Sequence, residues 1–426
     1  FSRLMDDPAD KQAETPPDAN SVRKRCLKTP LLIFLSIIIV AVLIVCGFYF
    51  FFSVGSDSST FTPHTASEEA RIRRMVAEIN SRNLTWKAEY NPLAAVSKYE
   101  VREMDPPRSL KLDGLDVEES VRKRLVADTE SHVSELARIN ITIPESFDAR
   151  ERWPECRSVH EIANQGGCGS CWAAAATSMM SDRLCISSNN TEQSMTSLED
   201  LVSCCDFCGG CAGTTFSLMP LLYFKMRGVV TGGGFHSKEG CRPYSIDNKC
   251  GAPCPPTYFD EAKTPTCQKK CQSSYNKQYE TDLIKVRSVY WLHMSWDYYD
   301  NWYTHDAFAA MQNGQSTRDG RVLADMDTIV KREILLHGPA ILSMFVTEGF
   351  LHYKSGIYSN AEGILNADSN MEYGHVMKLL GWGKENGEEY WLVANSWSRQ
   401  WGDNGYAKIS ANTFGWLHCD ITAALI

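Results

Sequence analysis

One cysteine in this chain stands in a setting suited to nucleophilic chemistry. Residues 164–171 read N-Q-G-G-C-G-S-C, and Trp172 follows. A thiol attacks a carbonyl carbon only as thiolate, so it needs a helix N-terminus or a neighbouring imidazolium to lower its pKa. After Cys171 come Trp172, four alanines (Ala173 to Ala176), Thr177, Ser178, Met179 and Met180. That run favours a helix. Cys171 is therefore expected in its first turn, where free N–H groups and the dipole favour negative charge. Gln165 lies six residues upstream. Its amide and the backbone N–H of Cys171 are placed to donate to a developing oxyanion.

A nucleophile needs a base, and the base needs an orienter. The chain has ten histidines, and most histidines are ordinary packing or surface residues. His375 differs in its setting: Gly374 precedes it and the apolar run from Val376 to Leu380 follows. Asn395 comes twenty residues later with Trp397 just beyond it. An asparagine holds an imidazole in one tautomer, and an indole shields that bond from water. Taken alone, His375 reads equally well as a core histidine and Asn395 as a turn residue. In the chain order Cys, His, Asn they read as nucleophile, base and orienter. The candidate catalytic residues are Cys171, His375, Asn395 and Gln165.

Cys168-Gly169-Ser170-Cys171-Trp172 fits the C-G-[SA]-C-[WY] pattern of papain-type cysteine proteases. From Ile143 onward the chain resembles the cathepsin B group of that family. The resemblance rests on Ile143-Pro144-Glu145-Ser146-Phe147-Asp148-Ala149-Arg150, on Cys241-Arg242-Pro243-Tyr244-Ser245-Ile246 and on Gly402-Asp403-Asn404-Gly405-Tyr406. It implies an α+β, papain-like two-domain fold: a helical left domain with Cys171, a β-rich right domain with His375 and Asn395, and a cleft between. It implies a peptidase that needs no cofactor and no metal, acts on peptide or protein substrates and is inhibited by its own propeptide. It assigns substrate contacts to Gly213, Thr214, Gly374, Trp397 and Ala424. It also implies the disulfides Cys156–Cys185, Cys168–Cys211, Cys204–Cys267, Cys205–Cys208, Cys241–Cys271 and Cys250–Cys254. The Cys205–Cys208 spacing is one residue shorter than in the family. A zinc site built from Cys204, Cys205, Cys208 and Cys211 is the rival reading of those four.

Several positions depart from the family. Thr214 stands where a glycine lines the substrate backbone, and its β-branched side chain should narrow the cleft. Ala174 replaces a phenylalanine. Ala424 replaces the acidic floor of the S2 pocket. Cys250 and Cys254 enclose only Gly251, Ala252 and Pro253, and no histidine lies between His236 and His293. The paired histidines that let cathepsin B grip a substrate's C-terminal carboxylate are therefore missing. The missing histidines point to an endopeptidase, and the other changes to unusual specificity. A catalytically silent relative that binds through its cleft or its aromatic insertion is the alternative.

Composition sets the compartment. The formal charge of −9 argues against nucleic acid as a partner, and sixteen cysteines argue for an oxidising environment. Leu31 to Val54 is apolar and free of charge, long enough to span a bilayer. Arg23, Lys24, Arg25 and Lys28 precede it, and no Lys or Arg follows until Arg71. The positive-inside rule then gives a single-pass type II membrane protein with a lumenal or extracellular peptidase; a long cleaved signal peptide is the rival. Sequons at Asn83, Asn140 and Asn189 all lie on the lumenal side. The expected organisation is a cytosolic polar tail at 1–30, a signal anchor at 31–54, linker and propeptide at 55–142 and peptidase at 143–426. A helix is expected from Ser67 to Asn83, with Ile72, Met75, Val76 and Ile79 on one face. The mature enzyme is expected to begin near Ile143. Residues 296–325, rich in Trp and Tyr, form an insertion that reads as a self-packed surface loop or as an interaction patch.

Overall fold

The computed structural model describes residues 65–92, 94, 117–214, 217–247, 249, 252–254, 263–293, 326–359, 371–413 and 420–426. The apolar run 31–54, the insertion 296–325 and Cys250 lie outside the described residues. Among the described residues no helix is long and apolar enough to cross a membrane.

Helix α1 (Ala66–Ser81) begins on Thr65, whose hydroxyl accepts from the N–H of Glu68 while the Glu68 carboxylate reaches back to the N–H of Thr65. The reciprocal bonds satisfy two end-of-helix donors at once, so the start falls before the expected Ser67. Strand β1 (Trp86–Ala88) and helix α2 (Val117–Arg138) follow. Then come β2 (Phe147–Asp148), α3 (Ala149–Arg152), α4 (Cys171–Ser187), α5 (Leu198–Cys204), α6 (Met219–Met226) and β3 (Ser288–His293). The chain continues through α7 (Met326–His337), β4 (Ala340–Thr347), α8 (Glu348–Leu351), β5 (Tyr353–Tyr358), β6 (Met371–Glu385), β7 (Glu388–Ala394), β8 (Tyr406–Ser410) and β9 (Asp420–Leu425).

The strands form one sheet in the order β1-β5-β8-β7-β6-β4-β9-β3, with β2 pairing on β6. Pairings are antiparallel except β5 with β8. Strand β4, Ala-Ile-Leu-Ser-Met-Phe-Val-Thr, is buried at six of its eight positions, the signature of a central strand covered on both faces. Helix α4 is buried without a break from Trp172 to Thr177. Its alanines allow that, because small side chains let neighbouring elements approach from several sides.

Disulfides close the helical half as Cys156–Cys185, Cys168–Cys211, Cys204–Cys267, Cys205–Cys208 and Cys241–Cys271. Cys254 is disulfide-bonded as well. The zinc reading of Cys204, Cys205, Cys208 and Cys211 therefore fails: oxidised sulfur offers no thiolate to a metal. Asn83, Asn140 and Asn189 are all exposed. Helix α2, expected in the propeptide, contributes Leu125, Val133 and Leu136 to the main hydrophobic core.

The helical half is tied to the sheet by charge. Asp182 on α4 meets Lys378 on β6 at 2.8 Å, with side chains 0% and 2% exposed. The Lys378 ammonium also donates to the Ser158 carbonyl at 3.2 Å. Burial raises the Asp182 carboxyl pKa although Lys378 pulls it down. A buried pair is costly to break from one side, because the remaining charge is stranded. Asp182→Ala should lower unfolding stability by about 3–5 kcal/mol, read from the urea midpoint. The double variant Asp182→Leu/Lys378→Met should recover most of that loss. A single-variant loss within experimental error would show that the pair is not an anchor.

Candidate active site

Cys171 is the first residue of α4 and is the one free cysteine among the described residues. Its neighbour Cys168 is held in the disulfide to Cys211. The turn into the helix is set by close backbone packing. Gly169 lies so near the Cys211 carbonyl that a Cβ would sit 2.4 Å from that oxygen. The N–H of Gly169 donates to the same carbonyl at 2.9 Å. Any larger residue would force this loop and the Cys211 backbone apart.

His375 lies on β6, opposite Met344 of β4. Lys378 pairs with Ala394 across the β6–β7 ladder, so Asn395, one residue past β7, comes beside the His375 strand. The His375 Nε2 and Asn395 Oδ1 are 2.7 Å apart. Asn395 Oδ1 also accepts from the backbone N–H of Ser396 at 2.7 Å. That oxygen is an acceptor, so His375 Nε2 carries the proton and Nδ1 is the basic nitrogen. The Trp397 ring stacks on His375 at 4.4 Å between centroids, and His375, Asn395 and Trp397 are all buried.

Gln165 is buried and clamped at both ends of its amide. Its Nε2 donates to the Cys168 carbonyl at 3.0 Å, and its Oε1 accepts from Ser396 Oγ at 2.7 Å. A primary amide has two N–H groups, so one remains for a ligand. Tyr244 donates from its hydroxyl to the Gln165 carbonyl at 2.8 Å and meets Ser170 Oγ at 3.0 Å. Sequence reasoning missed Ser396 and Tyr244 as positioning groups. Ser396 was adjacent to a candidate and Tyr244 lay in a quoted motif, but neither carries reactive chemistry of its own.

The substrate-side candidates divide. Gly213 has φ +97°, a conformation that favours glycine, and a Cβ there would meet nothing within 4 Å. It faces open space. Thr214 and Gly374 are half-buried. Ala424 is fully buried in β9, and its carbonyl accepts from Arg183 Nη1 at 2.9 Å. Behind the site, a void of about 10 Å³ is lined by Ala174, Ala175, Ser178, Met377 and Asn395 among others.

Charge is disfavoured on both Cys171 and His375. Burial pushes the Cys171 thiol up to about 11, against the downward pull of the Val376, Trp172 and Cys171 backbone. Burial lowers His375 to about 4, although its bond to Asn395 raises it. Both shifts favour the neutral forms of the half-buried thiol and the buried imidazole. Elsewhere, ligand atoms of His132, Glu333 and His337 lie within 4.8 Å of one another. Those residues belong to α2 and α7 and not to α4 or β6. Glu333 already accepts from Arg183 at 2.8 Å and Tyr290 at 2.7 Å and meets His132 at 2.6 Å, so the protein satisfies this carboxylate without a metal.

Residues 143–426 match the family described as papain family cysteine protease. The chain belongs to that family. Within it, it is cathepsin B-like. It is 36% identical over 345 residues to cathepsin B-like cysteine proteinase 3 of Caenorhabditis elegans, covering 80% of this chain and 78% of that protein. It is 37% identical over 287 residues to a gut-specific cysteine proteinase of the same nematode, covering 67% and 73%. Among solved structures it is similar to proCathepsin B S9 from Trypanosoma congolense, with 25% identity, a TM-score of 0.51, and 85% of this chain and 98% of that one covered. The papain-like α+β fold expected from the sequence is present, and the chain is a cysteine peptidase by family.

The neutral pair has a kinetic consequence. In the uncut chain, iodoacetamide should alkylate Cys171 slowly, and the rate should climb about tenfold per pH unit from pH 5 to 9, as expected for a thiol titrating above that range. A rate already flat at pH 5, followed by mass spectrometry, would mean that a thiolate–imidazolium pair exists before processing.

Proposed function

We propose that this chain is the zymogen of a cysteine endopeptidase working through Cys171, His375 and Asn395. Cys171 attacks the substrate carbonyl after losing its proton to His375 Nδ1. His375 then protonates the leaving amine, and water hydrolyses the acyl-enzyme. Asn395 keeps the proton of His375 on Nε2 and so leaves Nδ1 to act. The backbone N–H of Cys171 and the spare N–H of Gln165 take the oxyanion. The observation that carries this reading is the 2.7 Å contact between His375 and Asn395 under the Trp397 ring.

The inhibitory segment in this reading is 66–94. Strand β1 extends the sheet on β5, Trp86 Nε1 donates to the Ser359 carbonyl at 3.0 Å, and Asn91 Nδ2 donates to the Ala252 carbonyl at 2.9 Å. Its similarity to proform structures supports the same view. The segment 31–54 would anchor the chain, with the glycosylated peptidase domain in the lumen or outside the cell. The support is the apolar length, the basic flank and three exposed sequons.

Cys171→Ser and His375→Ala should each cut peptide hydrolysis by the activated enzyme at least about a thousandfold, with folding intact by circular dichroism. Asn395→Ala should cost less, because it removes no reacting atom. Substantial turnover in Cys171→Ser would assign the nucleophile elsewhere. A wild-type chain that is folded and processed yet inert would favour the silent relative.

Specificity follows from what the cleft lacks. With Ala424 at the S2 floor, a P2 guanidinium has no partner, so Leu or Phe should be cleaved in preference to Arg. Without the loop histidines, peptides ending in a free carboxylate two residues past the cut should gain little over their amides. The lost charge-assisted bonds are worth about 1.5–3 kcal/mol. A peptide-library profile reads both. Strong preference for the free acid, or for Arg at P2, would overturn this assignment. Carbonate extraction of membranes should leave the uncut chain in the pellet, whereas release into the supernatant would favour a cleaved leader.

A further inference from the structure

Helix α2 lies in sequence between the segment proposed to inhibit and the expected start of the mature enzyme. Its contacts are those of a core element. Leu125, Thr129, His132, Val133 and Leu136 recur on one face and are 2%, 0%, 8%, 1% and 0% exposed. The three apolar ones share the main core with Tyr290, Trp291, Ile329 and Val330. The Thr129 hydroxyl accepts from the N–H of Trp291 at 3.3 Å. That bond satisfies a backbone donor on β3, the edge strand of the sheet, where open N–H groups are a liability.

Polar contacts fix the helix from three other elements. Arg332 of α7 donates from Nη1 to the carbonyls of Leu136 and Ala137 at 2.9 and 3.0 Å, covering the free acceptors of the α2 C-terminus. Lys225 of α6 pairs with Asp128 at 2.6 Å. His132 stacks on Tyr290 at 3.9 Å and closes over Glu333. The other oxygen of Glu333 holds Arg183 of α4, and the two side chains are 0% and 2% exposed. Arg183 in turn donates to the carbonyls of Gly338, Pro339 and Ala424. Removing α2 would take one partner from a fully buried carboxylate and open the Arg183 network beneath the nucleophile helix. The segment 66–94 also buries Ile72, Ile79, Trp86, Ala88 and Ala94, but its ion pairs to the sheet side, Arg71–Glu348 and Glu89–Lys354, are part-exposed, and no fully buried ion pair among the described residues rests on it.

We propose that α2 is a permanent part of the peptidase domain and stays on it when the segment 66–94 is released. The working enzyme is then residues 143–426 together with 117–138, whether or not the peptide link between them is cut. This goes beyond the proposed peptidase activity and rests on that reading only for the release of 66–94.

Limited proteolysis of the full chain by an added protease, followed by size exclusion and peptide mass spectrometry, tests the proposal even if the chain has no activity of its own. Peptides from 66–91 should leave the folded particle first. Peptides from 117–138 should stay near one per peptidase domain, with a lifetime at least tenfold longer. Val133→Asp/Leu136→Asp should abolish that difference, and His132→Ala, the milder change, should shorten it severalfold. The same peptides should be recovered from self-processed enzyme captured through Cys171. Loss of 117–138 together with 66–91, or before it, would overturn the proposal.

Discussion

The candidate nucleophile and base stand on two different elements, and one buried ion pair ties those elements together. Asp182 of α4 and Lys378 of β6 form an ion pair fully withdrawn from water. Asp182 is eleven residues along the helix that begins at Cys171, and Lys378 is three residues along the strand from His375. The nucleophile and the base are therefore placed by the same docking of helix on sheet. Around that contact the rest is clamping. The Cys168–Cys211 disulfide and the tight approach of Gly169 fix the helix start, and Ser396 bonds both Gln165 and Asn395.

Burial also disfavours charge at the site. A thiol pushed up and an imidazole held down remain neutral across the range where a papain-type enzyme works. Water lowers the cost of the thiolate–imidazolium pair, so any change that opens this site to solvent should favour the charged form.

The candidate site is written in short, local patterns. Cys171 was marked by the helix formers after it, His375 by its glycine and its strand, and Asn395 by chain order. The helix α1 was visible from Ile72 and Ile79, while its start was misplaced because Thr65 acts through Glu68, three residues on. Helix α2 falls in the stretch 55–142 that the sequence assigns to linker and propeptide. Its attachment depends on Glu333, Arg332 and Lys225, about one hundred to two hundred residues away, and no local pattern reports such partners. The Arg183–Glu333 network was invisible for the same reason. Residues that position others, such as Ser396 and Tyr244, carry no reactive atom and leave no signature in a single chain.

The account stands or falls on which atom reacts. The direct measurement is mass-spectrometric mapping of an irreversible peptide epoxide on the processed enzyme. The account predicts a single adduct on Cys171, lost in His375→Ala. Labelling at another cysteine, equal labelling without His375, or no labelling of an enzyme that still cleaves peptides would contradict it.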